Sequence, residues 1–280
     1  MSLAVVAVRW SLVMGIGALL AGPAPAQAGT PSRYAAAVEA TPGLQHYLRL
    51  GDSGAVATDL GPATRFCHTG PSRYGAQVTL GLPGALPGDP DTAAGFDGAT
   101  PDGVWGSSIR VACGPVPDWG QYDPFTMEAW IRPGRLDGNS RRILAREDAN
   151  GGTIVAARSD GLVFSRFIKA HDVYVWDPDP SRARTIHWPE QWATLTTPVT
   201  PGIWTHVVAA YDGIRMSLIV NGRLAAQKTT SIPVNNSNLR IGANENGYLE
   251  WDGLIDEAAT YSTGLTVTQA AAHYAAGIGP

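Results

Sequence analysis

The chain has 280 residues, two cysteines and a formal net charge of −4 at pH 7. A slight negative excess without a basic tail excludes the electrostatic footprint of a nucleic-acid binder. A chain of this length can bury a sizeable core without help from metals or many disulfides.

In chain order, Arg9, the apolar run Trp10–Ala21 and Ala26-Gln27-Ala28 read as a secretory signal peptide over 1–28, with small residues at the cleavage site. The apolar run is short of the roughly 20 residues a membrane span needs, so an exported, extracellular protein without membrane insertion is expected after cleavage. Residues 29–43 read as a lead-in, and 44–280 as one domain. Strands are expected at Leu44–Leu50, Ser108–Ala112, Phe125–Ile131, Arg142–Arg146, Thr153–Ala157 and Leu162–Phe167, where short apolar alternations lie between turn residues. Gly81–Thr92 reads as a Gly/Pro loop. Cys67 and Cys113 are expected to pair in the oxidising compartment, closing a loop of roughly 46 residues worth about 3–4 kcal/mol. Free thiols or half a metal site are the alternatives, and neither cysteine sits in a C-x-x-C pair.

From Trp204 the pattern sharpens. "WTHVVAAYDGIRMSLIVNGRLAAQK" holds two turn dipeptides, Asp212-Gly213 and Asn221-Gly222, which predict a three-stranded meander. Met216, Leu218 and Val220 share one strand face, and Arg215 and Ser217 the other. Further strands are expected at Leu239–Ile241 and Trp251–Tyr261. Thr266-Val267-Thr268-Gln269 is a capping box opening a helix that Gly277 stops, with Val267, Ala270, Ala271 and Tyr274 as its packed stripe at the end of the sandwich. Many short antiparallel strands predict two stacked sheets.

Six segments in this order resemble the LamG-like jelly-roll family of the concanavalin A-like lectin/glucanase superfamily. They are "HYLRLGDSGAVATDLGP" (46–62), "VTLGLPGALPGDPDTAAGFDG" (78–98), "FTMEAWIRP" (125–133), "GIWTHVVAAYDGIRMSLIVNGRLA" (202–225), "LRIGANENGYLEWDGLIDEAATYSTGLT" (239–266) and "AAHYAAG" (271–277). The resemblance implies an all-β, antiparallel two-sheet jelly-roll sandwich with one short C-terminal helix, and a secreted binding or adhesion module without catalysis. It also implies a structural Ca2+, for which Asp97 of "FDG", Asp256 of "IDE" and Asp59 of "ATD" are the candidate ligands, since calcium takes carboxylate and carbonyl oxygens. The competing role for each Asp is an Asx turn cap.

The chain departs from the family pattern at Lys169–Thr197, which contains "YVWDPDPSRARTIHWPEQW". Prolines there predict a loop or ragged hairpin at the surface. Tyr174, Trp176, His187, Trp188, Gln191 and Trp192 supply aromatic platforms and polar tips, the chemistry that binds the C–H faces and hydroxyls of a sugar. The competing reading is a self-packed mini-core. Trp130, Trp204 and Trp251 are expected in the core. The expected partner is an extracellular glycan or a cell-surface protein.

Two catalytic readings are weaker. Glucanases of this superfamily carry Glu-x-Asp-x-x-Glu on one strand. Here Glu250, Asp252 and Asp256 alternate, but the third carboxylate is an Asp at the wrong spacing. "GDSGA" at 51–55 has no placed His/Asp partners and reads as a turn. His171 and His187 lack a third ligand for a metal.

Overall fold

The computed structural model describes residues 32–62, 70–99, 106–111, 123–179, 181–232 and 238–279. The signal segment 1–28 and both cysteines fall outside these residues.

A short helix, α1 (Arg33–Glu39), opens the domain, its first turn capped by the Ser32 side chain, which accepts from the Ala35 amide. Strands β1 (Leu44–Leu48), β2 (Arg73–Tyr74), β3 (Thr79–Pro83), β4 (Thr92–Asp97), β5 (Ile109–Arg110) and β6 (Phe125–Pro133) follow. Next come β7 (Arg141–Asp148), β8 (Gly151–Arg158), β9 (Gly161–Ile168), β10 (His171–Val175), β11 (Arg184–Trp188) and β12 (Gln191–Thr197). The meander is β13 (Thr205–Tyr211), β14 (Arg215–Val220) and β15 (Arg223–Thr229); β16 (Arg240–Ile241), β17 (Asp252–Tyr261) and α2 (Val267–Ile278) complete the chain.

Two antiparallel sheets stack. The first runs β15-β14-β13-β6-β17-β4-β3, with β1 beside the second half of β17. The second runs β12-β9-β8-β7-β16-β5-β2. Alternation along β6 sends Phe125, Met127, Ala129 and Ile131 between the sheets, where they meet Val155, Ala157, Phe164 and Ile168 of the second sheet. Each such buried aliphatic or aromatic side chain contributes about 1.5–3 kcal/mol of transfer free energy. Trp251 lies in this core, as expected, together with Ile255.

The first sheet is packed on both faces, which one-sided alternation did not predict. Trp130, Val208, Ile219, Ala259 and Tyr261 point away from the second sheet and are covered by α1 and α2. Trp130 is therefore buried, but under the helices. The helix α2 lies on this outer face instead of closing the end of the sandwich. Its buried stripe is Ala270, His273 and Gly277, and Val267 of the expected stripe is exposed. Gly277 is needed there, because a Cβ would stand 2.6 Å from the Trp130 ring. The capping box of Thr266 and Gln269 forms as predicted. So does the Asn221-Gly222 turn, both residues taking positive φ. The lead-in segment contains α1, whose Tyr34, Ala35 and Val38 belong to the same outer cluster. The Gly/Pro loop is shorter than expected, since β3 runs to Pro83 and β4 starts at Thr92.

The departure at 169–197 is an ordered ribbon. Ile168 faces Gln191, and three residues on His171 faces Trp188, so the β9–β12 register runs without a slip into β10–β11. Pro189 falls in the gap between the two ladders, where its missing N–H removes a rung. The hairpin is thus an arm extending from the second sheet.

Candidate functional site

The far face of the second sheet carries a small apolar cluster, Ala145, Ile154, Ala156, Val163 and Phe167. Trp192, directly opposite Phe167 in the ladder, lies flat on its ring at 4.2 Å with the planes 3° apart. The indole Nε1 donates to Glu190 Oε1 at 2.5 Å. Trp192 remains 46% exposed while Phe167 is fully buried. The indole is thus both a lid on Phe167 and an open platform, held by stacking and by a hydrogen bond.

Beside it lies a groove of about 460 Å³. Ile154 and Val163 form its apolar floor, and Ser165 and Thr194 offer hydroxyls that bond each other at 2.8 Å. Arg142 and Arg158 stand on the rim, each tied to its own acid. Arg142 donates to both Glu147 oxygens at 2.6 and 2.9 Å and to Ser140 O at 2.6 Å. Arg158 donates to both Asp160 oxygens at 2.6 and 2.9 Å. The groove therefore combines an aromatic wall, hydroxyls and neutralised guanidinium groups.

Of the six residues expected to bind ligand, the structure brings Trp188 and Trp192 to one face of the ribbon. Residues directly opposite share a face, as do residues two apart on one strand, so the Phe167–Trp192 face continues through His171–Trp188 and Val173–Ile186. The His171 and Trp188 rings are near parallel, 6.5 Å apart. Tyr174 and His187 take the opposite face, where His187 Nδ1 meets Asp172 Oδ1 at 2.7 Å. Trp176 lies past the end of β10 and is 71% exposed. Gln191 is half-buried at the root of the arm. Among the described residues of the arm, every side chain of β11 and all but His171 of β10 are exposed. Sequence reasoning missed Ser165 and Thr194; the signal was Ser165, the lone hydroxyl among the apolar residues of "GLVFSRFI".

The candidate calcium ligands are separated. Asp59 accepts from the Tyr47 and Gly61 amides, both at 2.9 Å, and meets His46 Nδ1 at 2.6 Å. Asp97 accepts from the Ala99 amide at 3.0 Å, an Asx turn. The acidic group that assembles among the described residues is Asp91, Asp256 and Glu257, with ligand oxygens all within 4.8 Å of one another. Glu257 sits at a β-bulge with φ +53°. Burial pushes Asp256 up to about 7, and burial together with Asp256 pushes Glu257 up to about 8. Arg49 supplies one positive charge, donating to Glu257 at 2.8 Å and Asp89 at 2.6 Å. Asp256 Oδ1 is buried without a hydrogen bond. An oxygen-only donor set with an orphaned carboxylate oxygen fits a hard cation.

Glu250 is buried to 1%, accepts from the Ser107 amide, and is pushed up to about 7 by burial. Asp252 pairs with Arg135 at 3.3 Å. Glu250 precedes β17, whereas Asp252 and Asp256 lie on it.

A profile of the concanavalin A-like lectin/glucanases superfamily matches residues 106–271. This chain belongs to that superfamily. No curated protein matches it. Among solved structures it is similar to the binding domain of Paraclostridial Mosquitocidal Protein 1, with 17% identity, TM-score 0.55, and coverage of 83% of this chain and 52% of that one. The binding domain of botulinum neurotoxin DC in complex with SialylT shares 13% identity at TM-score 0.56, covering 83% and 51%. Domain 4 of AbnA, an extracellular arabinanase from Geobacillus stearothermophilus, in complex with arabinotriose, shares 19% identity at TM-score 0.51, covering 82% and 98%. The superfamily member described here thus spans about half the length of the toxin binding domains and nearly all of the arabinanase domain. At these identities the likeness establishes the jelly-roll fold.

Proposed function

We propose that this chain is an exported, non-catalytic module that binds extracellular carbohydrate on the outer face of its second sheet and along the arm. The observation that carries the reading is Trp192, fixed flat on Phe167 beside a groove with an apolar floor and hydroxyls. That is the geometry a sugar ring stacks on. The SialylT and arabinotriose complexes of its structural relatives support it.

Affinity electrophoresis through polysaccharide gels tests it, with wild type beside an arm-less variant in which residues 169–190 are replaced by Asn-Gly. That dipeptide fits a two-residue turn between the paired Ile168 and Gln191. Wild type is expected to be retarded in at least one gel, and the arm-less variant clearly less. Equal mobility in every gel refutes the reading, and capture of a cell-surface protein by the arm replaces it.

The same proposal gives Asp91, Asp256 and Glu257 a structural calcium. Calcium at a hundredfold its Kd then stabilises by about 2.7 kcal/mol, a Tm rise of roughly 5–10 °C for a domain of this size. Asp256→Asn is expected to abolish that rise while leaving the calcium-free Tm unchanged or higher, since it removes a buried carboxyl. A Tm indifferent to calcium and to EDTA means that Asp256 and Glu257 are instead held protonated.

A further inference from the structure

The register of the second sheet places one outward row across all seven strands: Thr194, Ser165, Ile154, Ala145, Arg240, Arg110 and Arg73. Its first three residues line the Trp192 groove. Its last three are arginines, each directly opposite the next. Like charges opposed across a ladder destabilise a sheet. Arg73 and Arg110 are exposed, and among the described residues no carboxylate pairs with either. By contrast, Arg49, Arg141, Arg142 and Arg158 are each tied to an acid. Burial first, and then Arg110, hold the Arg240 guanidinium down to about 10, while Glu245 opposes the shift. Tyr74 and Ser108 join the three arginines around a cleft of about 230 Å³.

We propose that the Arg73–Arg110–Arg240 row is an oxyanion subsite that takes the sulfate or carboxylate of an acidic sugar. Guanidinium forks match the paired oxygens of such groups, and an anion between them converts their repulsion into attraction. The cleft holds one such group and its ring, not a whole chain. From Thr194 to Arg73 the row spans six strand spacings, roughly 29 Å at about 4.8 Å each. An oligosaccharide stacked on Trp192 has the length to place a charged unit on the arginines. The identity of the carrier rests on the carbohydrate reading; the oxyanion subsite does not.

Inorganic sulfate is titrated calorimetrically into wild type and an Arg73→Ser/Arg110→Ser variant, with chloride holding the ionic strength constant. Both positions are exposed, and the variant is expected to melt at the wild-type temperature or above it without sulfate, because repulsion is relieved. Sulfate binding at least tenfold weaker in the variant supports the subsite. Absent sulfate binding, or equal affinity in the two proteins, overturns it. A second arm compares sulfated, carboxylated and neutral oligosaccharides. Loss in the variant of a preference for the charged ones, with neutral binding kept, supports the acidic-sugar ligand. Sulfate binding that needs the arginines, with no saccharide bound by either protein, keeps the subsite and removes the carbohydrate reading. Neutral saccharides bound equally by both proteins, with no response to sulfate, do the opposite.

Discussion

Replacing Glu128 with alanine is expected to destabilise the domain by about 3–5 kcal/mol, the cost of leaving a buried charged partner uncompensated. Glu128 is fully buried on the outer face of β6, under both helices. Its Oε1 accepts from Tyr34 at 2.9 Å and faces His206 Nε2 at 2.7 Å and His273 Nδ1 at 2.9 Å; Oε2 accepts from Tyr261 at 2.8 Å. The protonation of His273 follows from its other side. The Thr41 hydroxyl spends its one hydrogen on Ala37 O at 2.8 Å, so it accepts from His273 Nε2, also at 2.8 Å. With Nδ1 facing a carboxylate, both ring nitrogens carry hydrogen, and the ring is an imidazolium. Burial opposes that charge, but Glu128 outweighs burial and raises the His273 pKa above 6.5. Burial likewise opposes the Glu128 charge, and the hydrogen bonds and charge of His206 and His273 overcome it, holding the carboxyl far below 4.5.

The signs give a pH window. The contribution of His273 is complete below its ordinary value of 6.5 and decays as pH rises through the raised folded value. That of Glu128 is complete above its ordinary 4.5 and decays as pH falls through the depressed folded value. Both are complete between those two ordinary values, and the pair then clamps α2 and the end of α1 to the sheet. Urea denaturation across pH 5–8 checks this: wild type loses stability above pH 6.5, and Glu128→Gln flattens that slope. A Glu128→Ala loss under about 1 kcal/mol, or a slope unchanged in Glu128→Gln, contradicts the clamp.

How far the fold was legible follows from which interactions are local. Alternation in Phe125–Ile131 and Leu162–Phe167 marks strands buried on the inner face, because a two-residue period needs no knowledge of partners. The Asn221-Gly222 turn and the Thr266–Gln269 box are likewise written in adjacent residues. The second layer on the first sheet was not, because its signals are split over distant segments. Tyr34, Glu128, His206 and His273 come from a helix, two strands and another helix, and the alanines of α1 read as a lead-in. A surface hairpin was legible at the arm, but its continuous register was not, because Pro189 looks like a strand breaker and falls in the gap between two ladders. The arginine row was invisible for a different reason. Arg73, Arg110 and Arg240 sit on two-residue strands, too short for any period, and only register sets them side by side. Among the acids, the residue type was informative and the grouping was not. Asp256 joined Asp91 and Glu257 because the bulge at Glu257 turns consecutive residues toward one place.

Trp192→Ala is expected to weaken saccharide binding by roughly 30–100-fold, an effect of about 2–2.7 kcal/mol typical of an aromatic anchor, while costing the fold only about 1 kcal/mol. The asymmetry follows from the geometry. Nearly half of the indole is in water, so its removal forfeits little burial, yet that exposed surface is the platform a pyranose or furanose would cover. Phe167, fully enclosed beneath it, has the opposite profile. Phe167→Ala opens a cavity, which in cores costs about 3–5 kcal/mol. It also removes the support that keeps the indole flat, so binding falls along with stability. Isothermal titration and denaturant melts on both variants separate the two roles of Trp192. If Trp192→Ala costs the fold as much as Phe167→Ala and leaves saccharide binding untouched, the indole is a plug for the apolar cluster, and the binding surface lies elsewhere on the sheet.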